Sequence, residues 1–173
     1  NRGAGPKEFH LMVVPALGGA ERRLAVLPSP QRPSWSADGQ WLAVTNCSGE
    51  RRCRLELVSF ESGEIRKLNY ALDDASDLDP TFSPDGRFLG FSRSYAARTQ
   101  SIWVLPLAKD YSAAGNPKEI TDRRTNQRPV WTPDGSALIY SRGDPPKLYR
   151  TPKEGGNAEH LAWAGMGVQF PSV

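Results

Sequence analysis

The chain has 173 residues, of which 38% are hydrophobic and 24% are charged, a composition that is ordinary for a globular protein. The net charge of +3 is small and the lysines and arginines are scattered, so no direct nucleic-acid contact is predicted. The longest apolar run, residues 11–17, contains Pro15 and is far shorter than the roughly 18–20 residues that cross a bilayer.

In chain order, the first predicted element is a hairpin at residues 10–24, with two short strands around a turn at Gly18. The same order of strand, Gly-Gly turn and strand recurs at residues 147–161, around Gly155. Glycine pairs between apolar runs mark turns because glycine accepts a positive φ. The first copy has no partner strands before it, so we predict that it is part of a larger repeated unit.

Three complete units follow, each with four predicted strands. Short apolar runs that alternate with polar residues and are bounded by Gly and Pro are typical of strands in an antiparallel sheet. We place the units at about residues 31–68, 79–120 and 128–161. The best-defined strands are residues 41–46, 54–59 and 88–94. A final run at residues 168–173 aligns with the start of a further unit.

One motif marks every unit: an aromatic residue, Ser or Thr, Pro or Ala, and then Asp-Gly. Its copies begin at Trp35, Phe82 and Trp131, 47 and then 49 residues apart. A period of about 40–50 residues indicates a repeat architecture. Because the aromatic residue recurs beside alternating apolar residues, we predict that it belongs to the core in each unit.

The Asp-Gly pair of the motif predicts a tight turn. Glycine accepts the positive φ that the turn requires, and the aspartate carboxylate accepts hydrogen bonds from backbone amides two residues on. A structural role therefore explains the repeated carboxylates better than a repeated binding site does. The residues with this predicted role are Asp38, Gly39, Asp85, Gly86, Asp134 and Gly135.

The two cysteines, Cys47 and Cys53, flank the connection between two predicted antiparallel strands. Facing positions across a short hairpin can meet disulfide geometry, and a bridge would fit an oxidising compartment. Two unpaired thiols near a surface loop are equally consistent with the sequence.

No metal site is predicted, since zinc needs about four ligands and the chain has two distant histidines. The acidic run at residues 73–79 is interpreted as a solvated loop rather than a calcium site.

A four-stranded unit with a [Trp/Phe]-[Ser/Thr]-Pro-Asp-Gly signature and a Gly-Gly or Ser-Gly turn resembles the WD-like repeat of the TolB-type β-propellers. The resemblance covers about residues 10–173 and departs from the family at Ala37, which replaces the proline. It implies an all-β fold, in which residues 1–173 form one β-propeller segment of four-stranded antiparallel blades. Three blades would be complete, with partial blades at both ends, at residues 10–24 and 168–173.

Propellers typically close with about 4–8 blades. Either a longer protein supplies the remaining blades, or two copies of this chain complete one ring as a homodimer. The chain begins with Asn1 rather than Met, which favours a portion of a longer protein.

The resemblance also implies a function. TolB-type propellers occur in the periplasmic partner of outer-membrane transport systems and in sensory regions of bacterial winged-helix transcriptional regulators. Similar propellers form the lids of prolyl-oligopeptidase-type proteases. We expect a non-catalytic module that binds or senses a protein or small ligand, without a cofactor, in the periplasm or elsewhere outside the cytoplasm. The leading alternative is an accessory lid of a serine hydrolase whose catalytic domain lies outside this sequence, and a further alternative is a purely structural spacer. An enzyme is not expected, because no Gly-x-Ser-x-Gly elbow occurs.

The predicted binding site consists of the residues just before the first strand of each unit. In propellers that loop opens near the central channel, where polar groups can converge on a ligand. The alternative is that these residues only solvate the rim. The predicted site residues are Gln31, Arg32, Asp79, Gln127, Arg128 and Gln169.

Overall fold

The computed structural model describes residues 8–28, 32–47, 52–71, 74–95 and 99–162. The helices and strands assigned within these ranges are all β-strands, with no helix among them. The strands are β1 (Phe9–Val13), β2 (Arg22–Leu27), β3 (Ser34–Trp35), β4 (Trp41–Asn46), β5 (Arg54–Ser59), β6 (Ile65–Lys67), β7 (Ser76–Phe82), β8 (Phe88–Ser94), β9 (Gln100–Pro106), β10 (Lys118–Glu119), β11 (Gln127–Trp131), β12 (Ala137–Arg142), β13 (Lys147–Pro152) and β14 (Glu159–His160).

Three sheets contain four antiparallel strands each, paired in the order in which they follow along the chain. The first sheet is β3 to β6, the second is β7 to β10, and the third is β11 to β14. A two-stranded sheet, β1 and β2, precedes them. The all-β, four-stranded antiparallel fold predicted from the repeats is therefore confirmed. The predicted final run at residues 168–173 lies outside the described residues.

The sheets stack face to face, and each interface has its own apolar cluster. One cluster joins Leu24 of β2 to Val44 of the first sheet, and a second joins Leu57 of the first sheet to Phe91 of the second. A third joins Ile102 of the second sheet to Tyr140 of the third. Because the middle strands contact a neighbouring sheet on both faces, they are buried on both faces, as in β4 and β8.

The turn between β7 and β8 has the local hydrogen bonding that its sequence favours. The Ser83 hydroxyl donates to the Asp85 carboxylate over 2.7 Å, and the Arg87 amide donates to the same oxygen over 3.1 Å. Gly86 has a φ of 69°, in the left-handed region. Corresponding bonds surround Asp38 and Asp134 in the other two sheets. The carboxylates are thus engaged by their own turns.

The repeated aromatic residue is buried in two copies of the motif and exposed in the other. Phe82 and Trp131 are 7% and 4% exposed, whereas Trp35 is 45% exposed. The prediction that Trp35 belongs to the core is therefore wrong. Trp131 packs on the preceding sheet, where its indole N–H donates to the Thr81 carbonyl over 3.0 Å. Among the described residues, the sheet before Trp35 has two strands, β1 and β2, instead of four. It therefore provides less surface to cover the Trp35 ring.

Gly90 in β8 allows the second and third sheets to approach closely. A Cβ atom at this position would lie 2.6 Å from Leu138 Cδ2 and 3.3 Å from Trp131 Nε1. Real Cβ atoms do not approach other atoms as closely as the first of these distances. A larger residue here would force the Leu138 side chain or the neighbouring sheet to shift, so packing favours glycine, whose φ is not in the positive region.

A buried ion pair lies at the start of the second sheet, so the interpretation of residues 73–79 as a solvated loop is wrong for Asp77, which is buried in β7. The Arg93 guanidinium donates to both carboxylate oxygens of Asp77, over 2.7 and 2.9 Å, and both residues are fully buried. The Tyr70 hydroxyl donates to the same carboxylate over 2.8 Å, and the guanidinium lies 4.3 Å from the Trp103 ring centroid. Burial, together with the Asp77 charge, raises the pKa of Tyr70. The carboxylate is thus held by three donated hydrogen bonds.

Cys47 and Cys53 form a disulfide that joins the end of β4 to the start of β5, with a Cα–Cα distance of 4.2 Å. The bridged hairpin also contacts the next sheet. The Cys53 amide donates to the Ser76 hydroxyl over 3.1 Å, and the Asp77 amide donates to the Cys53 carbonyl over 3.0 Å. The disulfide therefore lies beside the start of β7.

Candidate functional site

The first strands of the second and third sheets share an irregularity at the predicted site. Pairing of β7 with β8 shifts between Leu78 and Thr81, and pairing of β11 with β12 shifts between Gln127 and Val130. A β-bulge of this kind re-aims side chains and commonly lies beside functional sites.

Asp79 and Arg128 lie within these two shifts, each directly before a proline. Their φ angles are 50° and 54°, in the left-handed region that costs a non-glycine residue roughly 1–2 kcal/mol. The surrounding sheet must stabilise this conformation, and the Arg128 amide donates to the Ser92 hydroxyl over 3.1 Å. The same strained geometry therefore occurs twice, at equivalent positions of the repeat.

A groove of about 420 Å³ runs along the first strands of the three sheets. Arg32, Asp79 and Arg128 all line it, so the structure brings together three of the predicted site residues. Gln127 does not line the groove, and its carbonyl instead accepts a hydrogen bond from the Ser141 hydroxyl over 3.2 Å. The other two predicted residues, Gln31 and Gln169, lie outside the described residues.

The three charged groups of the groove interact electrostatically. Burial raises the pKa of the Asp79 carboxyl above its ordinary value, and the Arg128 and Arg32 guanidinium groups partly oppose that shift. The raised pKa means that burial outweighs the two cations. Two cations therefore face one partly desolvated carboxyl group.

The walls of the groove are apolar and rich in proline. Trp35 and Trp131 contribute aromatic surface, and Val130 contributes aliphatic surface. The prolines come from two sets, one beside the charged residues and one in the Asp-Gly turns: Pro33, Pro80, Pro129, Pro84 and Pro133. Sequence reasoning missed this wall, although two signals were visible: the repeated Pro in or directly before each first strand, and the Pro of the turn motif. An apolar surface with a few charged groups is the usual composition of a binding site.

Among the described residues, no three His, Cys, Asp or Glu side chains are arranged to hold a metal ion. Within the same ranges, no helix has the length and apolar character needed to cross a membrane.

No family model matches the chain. A curated relative, the uncharacterized peptidase YuxL of Bacillus subtilis, is 28% identical over 104 residues. That match covers 56% of this chain and 15% of the relative. The alignment therefore involves only a small part of the longer protein.

Among solved structures, TolB from Acinetobacter baumannii superposes with a TM-score of 0.72 over 90% of this chain, at 22% sequence identity. The chain has a TolB-like β-propeller fold. The β-propeller domain of the trilobed protease from Pyrococcus furiosus is also similar, with a TM-score of 0.52 over 76% of the chain and 16% identity. This TolB-like chain spans 38% of the Acinetobacter protein and 42% of the Pyrococcus chain.

Proposed function

We propose that this TolB-like propeller segment is a non-catalytic binding or sensing module, and that its protein or small-molecule ligand docks in the groove lined by Arg32, Asp79 and Arg128. The observation that carries the proposal is the convergence of these three residues on one apolar groove, from the segment before β3 and from the first strands of the second and third sheets. Propeller repeats place equivalent residues side by side around an axis, so such convergence follows directly from the fold.

The strained backbone gives independent support. A non-glycine residue in the left-handed region persists only where the surrounding structure requires it, and such residues cluster at functional sites. Here two of the three charged groove residues, Asp79 and Arg128, have this conformation. A purely solvating rim would not need either residue to be held in an unfavourable conformation.

The experiment that tests this proposal is selection of peptides from a random display library on the immobilised chain. The binding of selected peptides is then compared between the wild type and an Arg32→Ala/Asp79→Ala/Arg128→Ala variant. We expect the variant to bind at least about tenfold more weakly, since each truncated hot-spot contact is worth about 1–2 kcal/mol. An Arg150→Ala variant, whose arginine does not line the groove, is the control. Equal binding by wild type and triple variant would refute the proposal.

We also propose a location outside the cytoplasm. The Cys47–Cys53 disulfide supports it, because disulfides persist in oxidising compartments. A periplasmic component of a transport system, or the extracytoplasmic sensory part of a transcriptional regulator, would fit this location. Quantifying free thiols in protein isolated under alkylating conditions tests the assignment, and two free thiols per chain would contradict it.

A second candidate function is the lid of a serine peptidase, which the similarity to the peptidase YuxL and to a protease propeller favours. In that case a longer protein would contain the nucleophilic serine outside residues 1–173. Labelling of the complete protein by a fluorophosphonate, at a serine outside this segment, would support the lid. Absence of labelling in the complete protein would favour the binding module.

We further propose that the ring is completed either by blades of a longer protein or by a second copy of this chain. Light scattering of the isolated chain separates the two, since a homodimer would have twice the monomer mass of 19.0 kDa. A monomer at all concentrations would exclude the homodimer.

A further inference from the structure

The edge strands that line the groove disfavour binding of a peptide as an additional β-strand. The groove is lined by β3, β7 and β11, each of which is the edge strand of its sheet. A peptide added as an extra strand would need backbone donors along such an edge. Proline has no N–H, and Pro33, Pro80 and Pro129 occupy equivalent positions at these edges. Recognition in the groove must therefore depend mainly on side chains.

The charged side chains favour an anionic ligand. Among the described residues that line the groove, two carry guanidinium groups, Arg32 and Arg128, and one carries a carboxyl group, Asp79. Guanidinium remains protonated at every physiological pH, and its planar donors match the two oxygens of a carboxylate. Burial raises the pKa of the Asp79 carboxyl group above its ordinary value, and the two guanidinium groups partly oppose that shift. The balance of charge is therefore positive.

The apolar walls indicate what accompanies the anion. Trp35 presents an exposed ring, and Pro84 and Pro133 present rigid apolar surfaces along the same groove. Aromatic and proline surfaces of this kind bind aliphatic or proline side chains of extended peptides. A free inorganic anion would leave these walls uncovered.

We propose that the groove binds an apolar segment of a partner protein through a carboxylate that pairs with Arg32 and Arg128. This inference rests on the proposed binding function and names its ligand class. The carboxylate comes either from an acidic side chain or from the carboxyl terminus of the partner segment. Trp35 and the turn prolines contact the apolar residues next to it.

The test uses pools of fluorescein-labelled hexapeptides with Pro, Leu, Ser or Gly at the variable positions and Glu, Gln or Lys fixed at one central position. Each pool is prepared with a free and an amidated carboxyl terminus. Fluorescence polarisation should show the Glu pools binding about tenfold more tightly than the amidated Gln pool, since hydrogen bonds to charged groups are the stronger ones. Tight binding of the Gln pool with a free terminus would identify the terminal carboxylate as the source.

Three variants give the inference its specificity. Arg128→Gln should remove most of the preference for Glu over Gln. Arg128→Lys should retain part of it, because lysine keeps the positive charge but lacks the planar N–H donors of guanidinium. Asp79→Asn should bind the Glu pool more tightly, because it removes the opposing charge, and asparagine tolerates the left-handed conformation. Arg150→Gln, whose arginine does not line the groove, should leave the preference unchanged.

Two results would overturn the inference in distinguishable ways. Equal binding of all Glu and Gln pools, with free and with amidated termini alike, lost in Trp35→Ala but not in Arg128→Gln, would reject the carboxylate and leave the groove as a binding site. Failure of all pools to bind, or binding that neither variant alters, would reject the groove together with the proposed function. Circular dichroism of each variant checks that the fold is retained.

Discussion

Replacing Arg93 with Met would test the importance of the buried ion pair. Methionine keeps an unbranched apolar stem but removes both hydrogen bonds that Arg93 donates to Asp77. The Asp77 carboxylate then keeps the hydrogen bond from the Tyr70 hydroxyl. Breaking a buried pair on one side is destabilising by about 3–5 kcal/mol, because the other charge stays buried without compensation. Loss of the contact with the Trp103 ring acts in the same direction. Native domains of this size have a free energy of unfolding of only about 5–15 kcal/mol, so the effect is large.

The assay is urea unfolding followed by tryptophan fluorescence. A loss of about 4 kcal/mol, divided by a slope of roughly 2 kcal/mol per molar urea, lowers the unfolding midpoint by about 2 M. The double variant Asp77→Leu/Arg93→Met should recover much of the loss, because no buried charge then remains. Arg150→Met, which removes the exposed ion pair of Arg150 with Glu159, is the matched control and should change stability by less than about 1 kcal/mol. The reasoning would be refuted if the single variant lost as little as the control, or if the double variant were no more stable than the single one.

Three further perturbations address the other structural features. Gly90→Ala should reduce stability by about 1–3 kcal/mol through overpacking, and an unchanged melting temperature would show that the Leu138 side chain can move aside without cost. Hydrogen bonds in the turns hold the pKa values of Asp85 and Asp134 at about 2, although burial opposes this for Asp85. The stability that they provide is therefore complete above the unfolded-state pKa and is lost as pH falls from about 4 to about 2. Thermal scans across that range should show the loss, and Asp85→Asn should make it shallower; a flat profile in the wild type would contradict the assignment. Cys47→Ser should lower stability by about 2 kcal/mol, as expected for a short closed loop, and dithiothreitol should then have no additional effect. Equal unfolding midpoints for wild type and variant would argue against this contribution.

The parts of the fold that could be predicted are those determined by nearby residues. The turn at Asp85 depends on Ser83, Gly86 and Arg87, all within a few positions along the chain. The predicted strands at residues 41–46, 54–59 and 88–94 coincide with β4, β5 and β8 for the same reason. Their apolar alternation and bounding turns are both local signals.

The parts that were missed depend on contacts between sheets. Trp35 has the same motif as Trp131, yet its burial requires a complete neighbouring sheet, which the local sequence does not reveal. Strand β7 begins at Ser76, three residues before the predicted start at Asp79, because the bulge lets the strand continue through that residue. The burial of Arg93 could not be predicted either. Charged residues are almost never fully buried unless paired, and its partner Asp77 lies on another strand.

The candidate site was predictable only in part. Repeat alignment was enough to select Arg32, Asp79 and Arg128, because equivalent positions of a repeat lie side by side once the sheets stack. The left-handed backbone of the latter two was not predictable, because local preference opposes it in a residue other than glycine.

The close approach at Gly90 also restricts which repeats can pack as neighbours. The equivalent position of the first sheet is Ala43, which shares a buried cluster with Phe82, whereas Gly90 faces the larger Trp131. The smaller residue thus lies opposite the larger ring, so each sheet is matched in volume to the one that follows it. A chain with its second and third repeats exchanged would place the indole against the alanine methyl group. The repeats are therefore similar in fold but not interchangeable, because the side chains of each repeat are matched in size to those of the repeat that follows it.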